Sequence, residues 1–121
     1  MAYTDDRKTT TLYGILISID MMIDIIKYSS RYMITNKIRI SSESANLLSE
    51  ICYELGVYHG YFYNFDLKKV EELSKDRSRI LDKIGSMVRK TPSSEIFILV
   101  NMEEVLEIIV HVAVLRMAME Y

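Results

Sequence analysis

The chain has 121 residues and a mass of 14.1 kDa, with 15 Lys plus Arg against 17 Asp plus Glu and a formal charge of -2. That length fits one domain, and a composition that is 50% hydrophobic is too apolar for intrinsic disorder. One cysteine excludes an internal disulfide framework and a Cys-rich zinc site, and the mildly acidic balance supplies no global positive field for nucleic acid or anionic lipid.

Residue usage is lopsided, with 16 Ile, 9 Tyr and 8 Met against 4 Ala, and no Gln or Trp. Ile, Tyr and Met have A/T-rich codons, which points to an A/T-rich genome. The missing Gln, a thermolabile amide, fits a heat-loving archaeon or a virus of one. Asp5 and Asp6 stand near the N-terminus with no apolar run beside them, which does not read as a signal peptide. No stretch reaches about 18 uninterrupted apolar residues, the usual length of a membrane span. The nearest, 105–119, is broken by Glu107, His111 and Arg116. A cytoplasmic protein with no membrane partner is expected.

The first predicted helix covers about 7–34. Leu12, Ile15, Leu16, Ile19, Met22, Ile23, Ile26 and Met33 recur in steps of three and four, the spacing of one amphipathic face. Asp20, Asp24, Lys27 and Arg31 lie mostly opposite. Gly14 costs about 1 kcal/mol relative to Ala inside a helix, so close approach of a neighbouring helix is expected there. Ile38 and Ile40 alternate in a short linker that reads as an edge strand or an extended loop.

A second helix is expected over 42–56, capped by Ser41 or Ser42 and carrying Ala45, Leu48, Ile51, Cys52 and Leu55 on its apolar face. Gly56 reads as its stop. A third, over 66–90, starts at an Asp66 cap and buries Leu67, Val70, Leu73, Leu81, Ile84 and Val88. Thr91 followed by Pro92 opens a fourth, expected over 92–120 or, with a second start capped by Asn101, over 102–120. The segment 96–100 reads as helix or buried strand. Residues 105–115 are apolar around most of a helical circumference, so this last helix needs neighbours on several sides. The expected fold is all-α: a four-helix, bundle-like single domain over 1–121, with a long first helix and a mostly buried C-terminal one.

Few residues suggest chemistry. His59 and His111 stand apart, outside any HExxH pair or Cys/His cluster. His111 reads as a hydrogen-bonded structural residue within an apolar run, and Cys52 as a small hydrophobe. Glu103, Glu104 and Glu107 read as a solvated helical turn. No glycine-rich phosphate loop exists, and no catalytic residue, metal or cofactor is expected.

The most specific local pattern is Ile51-Cys52-Tyr53-Glu54-Leu55-Gly56-Val57-Tyr58-His59-Gly60-Tyr61-Phe62-Tyr63-Asn64. It resembles the helix-turn-helix core of repressor-type DNA-binding proteins. The resemblance implies a small residue, Cys52, where two helices cross, a turn at Gly56, and Val57 packed beneath it. A recognition helix would begin over 61–65, with Asn64 able to read adenine and Lys68 and Lys69 near phosphates. Tyr58 stands where Ser or Thr usually caps the second helix, and no Arg or Lys precedes Lys68 in that segment. A plain turn in a bundle is the other reading.

Tyrosine supplies the second unusual feature. Tyr28, Tyr32, Tyr53, Tyr58, Tyr61 and Tyr63 are placed to gather near helix ends, and Tyr suits interfaces because it joins apolar area to a polar tip. The apolar load of the first and last helices exceeds what one small core hides, which predicts a homodimer with the first or the fourth helix at its interface. The expected function is a non-enzymatic interaction or assembly protein, either an accessory subunit or a viral host-binding factor. Tyr58, His59, Tyr61, Phe62 and Tyr63 are its candidate interface. The alternative is a helix-turn-helix regulator built on 51–65, using Asn64, Lys68 and Lys69 on DNA.

Overall fold

A computed structural model describes residues 2–64 and 66–120, with side chains from residue 7 onward. Four helices follow one another: α1 (Ala2–Thr35), α2 (Ser42–Tyr63), α3 (Leu67–Met87) and α4 (Ser93–Glu120). The all-α, bundle-like single domain is the fold read from the sequence. Helix α4 packs against each of the other three, and α2 also packs against α3. Helix α1 makes close backbone contact with α4 alone.

Side-chain pairs give the directions. Ser29 and Tyr32 of α1 meet Asn101 and Phe97 of α4, while Gly14 meets Leu115, so α1 and α4 are antiparallel. Tyr61 meets Ala113 and Phe62 meets Arg116, while Ser41 meets Glu95, so α2 and α4 are parallel. Glu50 meets Arg79 and Lys83, and Tyr53 meets Glu72, which sets α3 antiparallel to α2.

Local chemistry explains the helix ends. Lys37 adopts φ 51°, and the N–H groups of Lys37 and Ile38 bond back to Ile34 and Met33. That is a Schellman closure of α1, and residues 38–41 after it form no strand. Ser41 caps α2 by accepting from the Ser44 N–H at 3.3 Å. The buried Glu95 carboxylate also accepts from the Ser41 N–H, tying the start of α4 to the start of α2. Asp66 caps α3 through the Lys68 N–H at 2.9 Å. The Pro92 carbonyl accepts from Ile96, so Pro92 is the cap of α4 and Ser93 its first residue.

Several expectations need correction. The segment 96–100 is helix. Asn101 does not start a helix but sits within α4, where its amide donates to the Ser29 hydroxyl at 3.0 Å. The apolar faces shift slightly: Ile80 and Met87 are buried on α3, whereas Leu67 and Val88 are exposed. Cys52 is exposed rather than placed at a helix crossing, and His111 is exposed rather than structural. On α1, Ile15 and Met22 are buried, but Leu12, Leu16, Ile23 and Ile26 are exposed, and Asp20 and Lys27 lie on the same side as Leu16 and Ile23 rather than opposite them.

The largest difference lies in α2. It does not stop at Gly56 but runs unbroken to Tyr63, and none of the described glycines has positive φ. Each helical glycine costs about 1 kcal/mol relative to Ala. Continuing the helix buries Tyr58 and Tyr61, and a buried large side chain returns about 1.5–3 kcal/mol. Burial therefore outweighs propensity. The turn required by the helix-turn-helix resemblance is absent from 51–63, and Phe65, the end of the expected recognition segment, lies outside the described residues.

Gly56 is exposed, and a Cβ added there meets nothing within 4 Å. Gly56→Ala is therefore expected to stabilise the fold by about 0.5–1 kcal/mol in urea unfolding. A glycine turn at this position would give destabilisation instead.

Candidate functional site

Helices α1 and α2 both lean on α4 without close backbone contact between them. The space between them is an apolar groove. Its upper part is a cavity of about 320 Å³, with Leu12, Leu16 and Ile19 on the α1 side and Leu55, His59, Phe62 and Tyr63 on the α2 side. Its lower part, of about 180 Å³, lies between Ile26 and Met33 of α1 and Leu48, Cys52 and Leu55 of α2. Ile98, Met102 and Val105 of α4 also line this lower part.

The five candidate interface residues divide by burial. Tyr61 is 0% exposed and its hydroxyl donates to the Ala113 carbonyl at 3.0 Å, so it is a core residue rather than an interface one. Tyr58 is also buried; it lines the groove, and burial pushes its phenol up to about 12. Phe62 is half-buried, with the Arg116 guanidinium 5.6 Å from its ring centre. His59 and Tyr63 are exposed, with ring centres 5.0 Å apart and ring planes inclined at 59°. The structure thus brings Tyr58, His59, Phe62 and Tyr63 together at one end of the groove.

The other tyrosines separate from this cluster. Tyr28 and Tyr32 pack on Phe97 of α4, at 5.9 and 4.5 Å. Tyr53 faces Glu72 across α2 and α3. Asn64 caps the end of α2, and Lys68 and Lys69 occupy the first turn of α3. Asn64 therefore sits at the end of one helix and Lys68 and Lys69 at the start of the next.

The sequence reading missed how much of α1 faces outward. Leu16 is 53% exposed, Ile34 77%, Tyr13 66% and Tyr28 60%. Ile17, Met21 and Ile23 are exposed as well. Opposite, the exposed side of α2 carries Ala45, Ser49, Cys52 and Gly56, four small residues in steps of three and four. Such a stripe lets another helix approach closely, and apolar walls flanking it are the setting in which an amphipathic helix docks. Spacing alone put Leu12, Leu16, Ile23 and Ile26 with Ile15 on one face. The signal for two faces was that apolar residues span too wide an arc for one neighbour.

Among the described residues, no group of three or more His, Cys, Asp or Glu side chains is arranged to hold a metal ion. One acidic group is unusual. Glu54 of α2 is 0% exposed and lies near Asp76 and Glu72 of α3. Two carboxylates are both acceptors and cannot bond to one another. A protonated Glu54 can donate to Asp76. Burial first, and then the Asp76 side chain, push the Glu54 carboxyl from 4.5 up to about 8.

Comparison with protein-family models, with curated proteins and with solved structures found no match. The chain's own geometry therefore carries the functional argument.

The Glu54 environment has a consequence for pH. The unfolded chain ionises this group near 4.5, whereas the folded chain holds the proton to about 8. Its contribution is full below 4.5 and is lost as pH rises through 8. Glu54→Gln keeps a neutral donor, so the variant should gain stability over the parent between pH 5 and pH 8. Urea unfolding at about these two values checks it; equal pH dependence in both proteins would count against a buried neutral Glu54.

Proposed function

We propose that this protein is a non-enzymatic assembly or binding factor that works as a homodimer, with α1 as its association surface. The observation carrying this reading is the exposed apolar half of α1. Single exposed apolar residues are ordinary, but a contiguous exposed patch marks an interaction site. Leu12, Leu16, Ile23 and Ile34 are all at least 37% exposed along one side of the helix, and Ile17 and Met21 are exposed farther round it. Burying apolar surface stabilises by about 25 cal/mol per Å², so water leaves a strong drive for this face to be covered. The neighbouring His59, Phe62 and Tyr63 extend the same surface across the groove.

A protein cover fits better than lipid. The segment Arg7–Thr35 is long and apolar enough to cross a membrane. It also carries Asp20, Asp24, Lys27 and Arg31. Each ionised side chain near a bilayer centre costs about 2.5–3.5 kcal/mol on insertion scales. At a protein–protein surface the same groups can pair with opposite charges of the partner or stay in contact with water.

Sedimentation equilibrium should give twice the chain mass at about 100 µM, the range of a weak to moderate homodimer. Leu16→Glu changes a side chain that is already 53% exposed, so the monomer fold should keep its stability to within about 0.5 kcal/mol. Its dimer should weaken at least about tenfold. A monomeric parent protein at that concentration would overturn the reading.

A further inference from the structure

The outward face of α1 is symmetric about its own middle. Leu12, Leu16, Asp20, Ile23, Lys27 and Ile34 share one side of the helix and are all exposed. Leu12 and Ile34 each lie eleven residues from Ile23. Asp20 and Lys27 lie three and four residues away, on opposite sides and with opposite charge. Ser30 is as far beyond Ile23 as Leu16 is before it. At about 1.5 Å per residue, the face is about 33 Å long.

We propose that two copies pair α1 against α1 in antiparallel fashion, about a two-fold axis passing beside Ile23. This rests on the homodimer reading above and specifies its geometry. A two-fold interface places the same patch against itself, residue i on j and j on i. About this axis, Ile23 meets Ile23 of the partner subunit, and Leu12 meets Ile34 of the partner subunit. Asp20 meets Lys27 of the partner subunit, and the symmetry repeats that pair. Leu16 packs beside Ser30 of the partner subunit. The apolar contacts therefore run the length of the face, with two ion pairs flanking the axis.

The charges select the direction. In a parallel pair, Asp20 would face Asp20 of the partner subunit and Lys27 would face Lys27 of the partner subunit. Like charges across an interface suppress that arrangement. Among the described residues, neither Asp20 nor Lys27 has an ion pair within the chain, so each is available to a second copy.

The test combines charge reversal with distances. Asp20→Lys and Lys27→Asp should each weaken the dimer about tenfold at low salt, and the effect should shrink at high salt. The double variant D20K/K27D should restore parental affinity. Spin labels attached through Lys8→Cys, in a Cys52→Ser background, should sit about 45 Å apart along the helix direction. Labels attached through Asp24→Cys should lie close together near the axis. A stable dimer with neighbouring Lys8 labels, or single reversals without effect, would overturn this arrangement and leave the homodimer reading intact. A protein that is monomeric in every measurement would overturn both. Transfer of the parent protein to phosphatidylcholine–phosphatidylglycerol vesicles, with loss of the dimer, would also overturn both and assign the face to lipid.

Discussion

The fold depends on the burial of α4. This helix is apolar around much of its circumference, and such a helix is stable in water only when neighbours cover it from several sides. Ile98, Leu99, Val105, Leu106, Ile109 and Val112 all lose nearly all contact with solvent. Three helices are needed to achieve this, and the chain supplies three. Polar links then set the registers. The Asn101 amide holds Ser29 of α1, the Tyr61 hydroxyl holds the Ala113 carbonyl, and the Arg77 guanidinium meets Glu107. The buried bonds matter more than the surface pairs, because an exposed ion pair contributes about 0–1 kcal/mol.

Covering α4 does not use up the apolar surface of the other helices. Helices α2 and α3 support each other as well as α4, whereas α1 has one close neighbour. The same asymmetry that completes the core leaves a groove beside α2 and an outward apolar face on α1. The proposed association surface is a by-product of how the central helix is satisfied. The charged residues on that face, Asp20 and Lys27 in particular, give its apolar drive a direction.

Helix number, the order of elements and the central role of the last helix were legible because their signals are periodic and local. Ser41 and Asp66 act as caps, and Pro92 marks the last break. What was not legible came from tertiary contacts. Gly56 reads as a stop by propensity, yet Tyr58 and Tyr61 gain more from burial in a continued helix than two glycines cost. Ile15 and Leu16 are adjacent in sequence and equally apolar, yet one is 1% exposed and the other 53%. Only the position of α4 separates them. Tyr61 was grouped with surface aromatics because sequence spacing does not reveal the Ala113 carbonyl waiting for its hydroxyl. The groove itself has no local signal: its aromatic residues stand out in the sequence, but the spacing of Leu12 and Leu16 on α1 reads as core.

The single attachment of α1 also shapes how the protein opens. An element held by one neighbour alone can open locally without disturbing the contacts among the other elements. Helix α1 can lift from α4 while α2 and α3 keep their own contacts. Its amide protons therefore report a different equilibrium from those of α2 and α3. In the proposed pairing, a second copy bound along the outward face would add protection to α1, which makes the solvent exchange of that helix sensitive to protein concentration.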